Sequence, residues 1–405
     1  MPNPAPESRY EVLALFAAAM VAASLFVVAT GTLTPFLESA FHLGGTQAGL
    51  VLSVQMVGSL LATAVAGALT DRFGDKAVVS WSGWFMGIAL MCAAAVRDFH
   101  WVVVWLMVYG IGFAAVTPAG SHAIVFFFKK EDRGFAMGVR QCGVPVAGVV
   151  GSLLLPSVAL HFGYQWALVA AGAITVVTCS LASRLYREPK ELSGERVSLR
   201  AMLVEMLQMS RNPQLVLITL TSMTLVSAQM VLLAFLTLTL VHEAGFALPL
   251  AVGVFTLSQF AAIAGRLAWG WSSDRIFRGS RALPLAAAGV LSAAALYAAA
   301  LLTPQTPAWS IYVLAAVMGF SAEGWFGVGV IAVAEIGGEE HSGSALGVAL
   351  TWIFFAAFVS PTIFGGLAQG LGYRFAWTTF AALALAGIVP ALLASAFVRR
   401  LTAQT

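Results

Sequence analysis

Three charged side chains interrupt long apolar stretches of this sequence: Arg140, Arg266 and Glu323. A charge at the centre of a membrane-spanning helix costs about 2.5–3.5 kcal/mol or more, so each needs a partner or a cavity, and each is a functional candidate. At about 1.5 Å per helical residue, Arg266 lies about 12 Å inside Asp274 and Arg140 about 10 Å inside Arg133, with Glu323 deeper still. Arginine keeps its proton, so a buried guanidinium stays a cation, and its planar fork matches a carboxylate through two parallel hydrogen bonds. Two such cations against one carboxylate leave one positive charge in excess, which a monoanionic substrate would neutralise. The structural alternative is that one arginine bridges Glu323 while the other bonds backbone carbonyls. Glu323 is the natural proton carrier: burial favours its neutral form, a nearby arginine favours the anion, and a carboxyl caught between the two exchanges protons as its surroundings change. Gln141, Gln229 and Gln259 lie in the same apolar stretches and, with Trp352, complete the substrate-binding candidates; the glutamines could equally bridge helices. His122 titrates near neutrality and is a second proton-coupling candidate, with a packing histidine as the alternative.

The elements that hold these residues are membrane spans. The chain has 405 residues, 60% of them hydrophobic and 10% charged, against about 45–50% and about 25% in a soluble domain. Twelve helices of about 20 residues with short loops use the whole length. They fall at 12–34, 46–69, 77–96, 101–126, 134–158 and 165–186, then 214–240, 248–272, 282–302, 308–334, 342–368 and 374–398. The first is too long for a signal-peptide core and reads as a retained span. Residues 187–213 form the one long polar stretch, in which Leu199, Met202, Leu203, Met206 and Leu207 recur at the spacing of a helix lying on the membrane surface.

Lysine and arginine collect on one side of the spans, from Arg9, Arg72 and Lys76 through the central stretch to Arg275, Arg278, Arg281, Arg399 and Arg400; the other side has only Arg97 and Arg374. That bias predicts a cytoplasmic-membrane protein with both termini and the central loop in the cytoplasm. The two halves also repeat. Gly67, Asp71 and Arg72 recur as Gly270, Asp274 and Arg275 at an offset of 203 residues, while Gly110, Gly134, Gly138, Gly163, Tyr164 and Ala167 recur as Gly319, Gly343, Gly347, Gly372, Tyr373 and Ala376 at an offset of 209. Two six-helix bundles follow, 1–186 and 214–405, joined by 187–213 and related by an axis along the membrane normal. The expected fold is an all-α membrane protein of 12 helices in two pseudo-symmetric bundles, with a substrate site between them near the bilayer midplane.

The run Gly67-Ala-Leu-Thr-Asp71-Arg72-Phe-Gly74-Asp75-Lys76, between the second and third spans, resembles the signature loop of the major facilitator superfamily, and Asp274 with Arg275 is its degenerate copy. The resemblance covers the whole chain and implies transport by alternating access. An aspartate near a helix N-terminus gains roughly 0.3–1 kcal/mol from the helix dipole, and up to ~2 when partly buried. Two transporter conformers differ by only a few kcal/mol. Gly67, Asp71, Arg72, Gly74, Lys76, Asp274 and Arg275 are therefore candidates for a conformational latch, the alternative being a tight turn and no more.

A narrower similarity, to the monocarboxylate porter family, rests on Arg266-Leu-Ala-Trp-Gly270 ahead of Asp274 and on Phe127-Phe128-Lys129-Lys130 leading to Ala136-Met-Gly138 and Gly143. The acidic-glycine pair of that family's first span is absent. The similarity implies a short organic anion, foremost a monocarboxylate, carried with a proton: Arg266 anchors the carboxylate, Arg140 assists, and Glu323 carries the proton. The rival is a proton-coupled drug exporter, whose span-five pattern Gly143-Val-Pro145-Val-Ala-Gly148 approaches with its proline displaced. A non-transporting membrane sensor on the same scaffold is a third reading. The net charge of +3 is small and dispersed, which argues against nucleic acid. Cys92, Cys142 and Cys179 offer neither a disulfide framework nor metal spacing. No nucleophile–base pair is evident, so an enzyme, a metal or a cofactor is not expected; the expected partners are the anion, the proton and the bilayer, and the expected state is a monomer.

Overall fold

The computed structural model describes residues 6–43, 45–189, 204 and 206–402, and every element among them is helical. In chain order these are α1 (Pro6–Phe41), α2 (Gly45–Ala95), α3 (Phe99–Phe113), α4 (Pro118–Phe127), α5 (Arg133–Gln141), α6 (Gly143–Phe162) and α7 (Tyr164–Leu185), then α8 (Pro213–His242), α9 (Leu248–Arg275), α10 (Ala282–Ala299), α11 (Ala308–Met318), a π turn (Gly319–Glu323), α12 (Phe326–Leu371), α13 (Tyr373–Ala386) and α14 (Ile388–Thr402). Ten helical stretches among the described residues are long and apolar enough to cross a bilayer, and Ser53–Thr63 is a shorter apolar helix. The ten account for every predicted span except the second, which falls in the first part of α2, and the eighth, which is α9. Twelve spans fit this arrangement. Of the predicted surface helix, Met206 and Leu207 are described and helical; Leu199, Met202 and Leu203 lie outside the described residues.

The chain separates into two compact units. The first comprises Met1–Lys129, Val139–Ser210 and Ala334–Phe354; the second comprises Lys130–Gly138, Arg211–Val333 and Phe355–Thr405. Each unit thus keeps most of one sequence half and takes in a short segment of the other: residues 334–354 join the first, residues 130–138 the second. The first core gathers Phe26, Met86, Leu90, Leu106, Tyr109 and Leu168 among others; the second gathers Leu232, Leu296, Ile311, Phe364, Trp377 and Phe380.

The repeat is visible in the backbone. Gly163 links α6 to α7 with φ 92, ψ 159, and Gly372 links α12 to α13 with φ 88, ψ 160. This left-handed conformation is costly for any residue with a Cβ, so glycine at both copies joins consecutive helices with almost no loop. Glycines also set the close helix approaches: Gly110 packs on the backbone of Gln55, and its copy Gly319 on that of Ser258. Small residues let helix backbones touch, which substitutes for the hydrophobic drive that a bilayer does not supply.

Candidate functional site

In the second unit, α9 and the π turn bring three of the candidates together. Gln259 and Arg266 are seven residues apart on α9, two turns along one face. Glu323 ends the π turn opposite them. The Gln259 amide Nε2 donates to Glu323 Oε1 at 2.8 Å, and the Arg266 guanidinium is the cation whose field acts on that carboxylate. Arg266 is 2% exposed and Glu323 3%. A buried anion here is tolerable because a cation and an amide donor face it.

In the first unit, α5 aims Arg140 at α4 rather than at a carboxylate of the second sequence half. Arg140 Nη1 donates to Ser121 Oγ at 3.0 Å, and Nη2 donates to the Val116 carbonyl at 2.6 Å. Gly120 makes the room, since a Cβ there would stand 2.6 Å from Arg140 Nε. The anion whose field acts on this guanidinium is Asp75, which is fully buried. To the three charges inside the spans the structure adds buried Asp75, Asp274 and Arg281 among the described residues, and the field at Arg140 and at Arg266 comes in each case from a carboxylate of its own unit. A charged residue between Gly74 and Lys76 in a short loop reads as solvated, which is why Asp75 escaped the sequence reading.

The two aspartates among the latch candidates each seal a helix start by accepting from its backbone amides. In the first unit, Asp71 at the end of the second predicted span accepts from the backbone amides of Gly343 (2.8 Å) and Ser344. These amides are free because the long helix α12 breaks at Gly338 and His341 and starts again there. Gly67 packs against the same stretch, at Gly343 and Gly347. In the second unit, Asp274 accepts from Gly134 N (3.1 Å) and Phe135 N (2.8 Å), the first turn of α5. The buried Arg281 also donates to Asp274, and to Ser273 Oγ (2.9 Å) and the Lys130 carbonyl (2.8 Å). Thus Asp71 and Asp274, one repeat apart, hold Gly343–Ser344 and Gly134–Phe135, also one repeat apart.

The Major Facilitator Superfamily sequence model matches residues 14–327 of this all-helical, internally repeated chain. The chain belongs to the major facilitator superfamily. It is a multi-pass membrane transporter rather than an enzyme. It is 26% identical over 396 residues to an uncharacterized MFS-type transporter of Mycobacterium tuberculosis, covering 95% of this chain and 83% of that one. It is 26% identical over 248 residues to the 3-(3-hydroxy-phenyl)propionate transporter of Escherichia coli, covering 61% of each. Among solved structures, the human organic anion transporter MFSD10 superposes with a TM-score of 0.75 at 14% identity, over 96% of this chain and all of that one, a likeness of fold.

Within this superfamily member the remaining candidates disperse. Arg72 lies over the Phe73 ring (5.1 Å), Arg275 pairs with Asp132 (3.1 Å), and Lys76 is exposed while its backbone amide donates to Glu188 Oε1 (3.3 Å). Gly74 (φ 79) breaks α2 between the second and third predicted spans. Gln141 is fully buried beside Arg140, Gln229 is 7% exposed on α8, and Trp352 is 53% exposed on α12. The side chain of His122 lies outside the described residues. Sequence reasoning missed Asp75, Ser121 and Arg281; Arg281 was legible only as one more basic loop residue, although it sits seven residues past Asp274.

Proposed function

We propose that this protein moves a small organic anion, foremost a monocarboxylate, together with a proton across the cytoplasmic membrane by alternating access. The observation that carries the reading is the buried Arg266–Glu323–Gln259 cluster. With Glu323 ionised, Arg266 has its counter-ion and no need of another. When Glu323 takes a proton, Arg266 is left a buried cation, and a substrate carboxylate restores neutrality through a bidentate pair. The Gln259 side chain serves both states, because its NH2 donates to the carboxylate and its carbonyl can accept from the acid. One proton and one carboxylate therefore enter together and leave together, an electroneutral symport. Arg140, with Asp75 as counter-ion, is the proposed assisting cation, and Gln141, Gln229 and Trp352 complete the proposed substrate-binding set. The Asp71 and Asp274 seals act as the gate on the cytoplasmic side, where both termini lie. The relative that carries 3-(3-hydroxy-phenyl)propionate, an aromatic monocarboxylate, supports this substrate class.

The test is Glu323→Gln in proteoliposomes. Substrate exchange across the bilayer should persist while uptake driven by an inward proton gradient falls to the level without a gradient; gradient-driven uptake equal to that of the unmodified protein would sink the coupling role. In parallel, a thermal-shift panel of monocarboxylates, dicarboxylates, sugar acids and apolar cations names the substrate class. A ligand at 100 times its Kd stabilises by about 2.7 kcal/mol, and Arg266→Gln should abolish that shift for carboxylates. Stabilisation by apolar cations alone would favour an exporter.

A further inference from the structure

The π turn at Gly319–Glu323 is an irregularity that a continuous helix would not need, and such turns collect at functional sites. It is held against α9 by backbone contact. A Cβ on Gly265 would stand 2.9 Å from Phe320 Cα, and one on Gly324 would stand 2.8 Å from Gly265 Cα. Gly265 precedes Arg266, and the contact at Ser258 precedes Gln259, so the same approach sets both partners of Glu323. The wider ring of a π turn also disturbs the usual acceptor pattern of its carbonyls. Trp269 Nε1 donates to the Phe320 carbonyl at 3.0 Å, and the two rings pack at 5.5 Å between centroids. Trp269 is 8% exposed, so its N–H has been taken out of solvent to make this bond.

Glu323 is the last residue of the turn. If the turn relaxed to an α-helix by one residue, everything beyond it would rotate by about 100° relative to the segment before it, and the carboxylate would leave Arg266 and Gln259. We infer that Trp269 is a positioning residue for proton coupling: its indole N–H clamps the π turn and thereby keeps the Glu323 carboxylate on Arg266. The repeat supports a role specific to this site. The positions equivalent to Trp269 and Glu323 in the first half are Ala66 and Ala114, so the indole and the carboxylate occur together in one half and are absent together from the other. In this assignment Trp269 acts through Glu323.

The inference rests on the Arg266–Glu323 symport reading, and its test is chosen to fail separately. Carboxylate affinity of purified protein is measured between about pH 6 and about pH 8 for the unmodified protein, Trp269→Phe and Trp269→His. One linked proton changes affinity by up to about tenfold per pH unit. In Trp269→Phe, which keeps a ring but loses the N–H, Glu323 no longer holds Arg266, so the pH dependence should flatten to less than about twofold over the range while binding persists; Trp269→His, which restores a ring donor, should recover part of the slope. Deuterium exchange of the unmodified protein supplies the second measurement. Amides of 319–324 should change protection between the acid, carboxylate-bound state and the alkaline, empty state, after correction for intrinsic rates. A Trp269→Phe protein with an unaltered pH slope, or unchanged protection of 319–324, would overturn the inference. If Glu323→Gln itself leaves pH-driven uptake intact, the symport reading falls; if Glu323→Gln uncouples and Trp269→Phe does not, only the clamp falls.

Discussion

The two aspartate seals are copies of one device that differ at the repeat position of Arg281. Asp71 accepts from two backbone amides at a restarted helix, Gly343 and Ser344. Asp274 has the equivalent pair, Gly134 and Phe135, and adds a buried guanidinium from Arg281 that also ties down Ser273 and the Lys130 carbonyl. The repeat position of Arg281 in the first half is Val78, an apolar residue. A carboxylate at a helix N-terminus gains at most ~2 kcal/mol, a bond that breaks readily within a transport cycle. A desolvated ion pair resists separation more strongly, because each charge left behind is unpaired. Arg281 is thus a feature of the Asp274 copy that the equivalent position in the first half lacks, and substituting it tests what a desolvated cation adds there.

The largest effect should come from removing the extra cation. Arg281→Gln leaves Asp274 buried without its guanidinium, a loss of about 3–5 kcal/mol for one partner of a buried pair, visible as a lowered midpoint of thermal unfolding in detergent. A double-mutant cycle sharpens the comparison. In an Asp274→Asn background, Arg281→Gln should cost far less, since the charge that needed it is gone. Additive losses would mean that Arg281 stabilises the fold through Lys130 and Ser273 alone, and the contrast between the seals would lose its basis.

Asp71→Asn comes next. The amide keeps an acceptor for Gly343 or Ser344 but removes the negative charge at the helix start, so about 0.5–2 kcal/mol should be lost. That is enough to shift a balance of a few kcal/mol between conformers, so transport rate should change more than thermal stability does. Asp274→Asn should do the reverse, losing stability first. Equal effects of the two substitutions on both readouts would break the comparison.

How much of this was legible beforehand follows from what each feature depends on. The repeat, the helical spans and the two aspartates are written in local spacing, and so were read directly. The donors Gly134 and Gly343 were visible as repeat partners, but not that Asp71 meets the second and Asp274 the first, because residues 272 and 140 positions apart meet only through tertiary packing. Arg266 with Gln259 was readable as one helical face. The π turn was not: Gly319 signals a close approach, yet an inserted residue in a helix comes from backbone contact with Ser258 and Gly265, for which local pattern carries no sign. Asp75 shows the same limit from the other side, since the buried arginine on which its charge acts is 65 positions away.

The smallest effect tests whether exposure, rather than mere charge, separates the seals. Arg275 Nη2 pairs with Asp132 Oδ1 at 3.1 Å, beside the Asp274 seal, but the two side chains are 60% and 36% exposed. Water screens such a pair, and exposed pairs contribute about 0–1 kcal/mol. Asp132→Asn should therefore leave unfolding nearly unchanged at low salt and indistinguishable at high salt, where screening is complete within a few Å. A loss approaching that of Arg281→Gln would mean that the rim of the seal carries as much as its buried pair, and that the strength of the Asp274 copy comes from the number of charges around it and not from their desolvation.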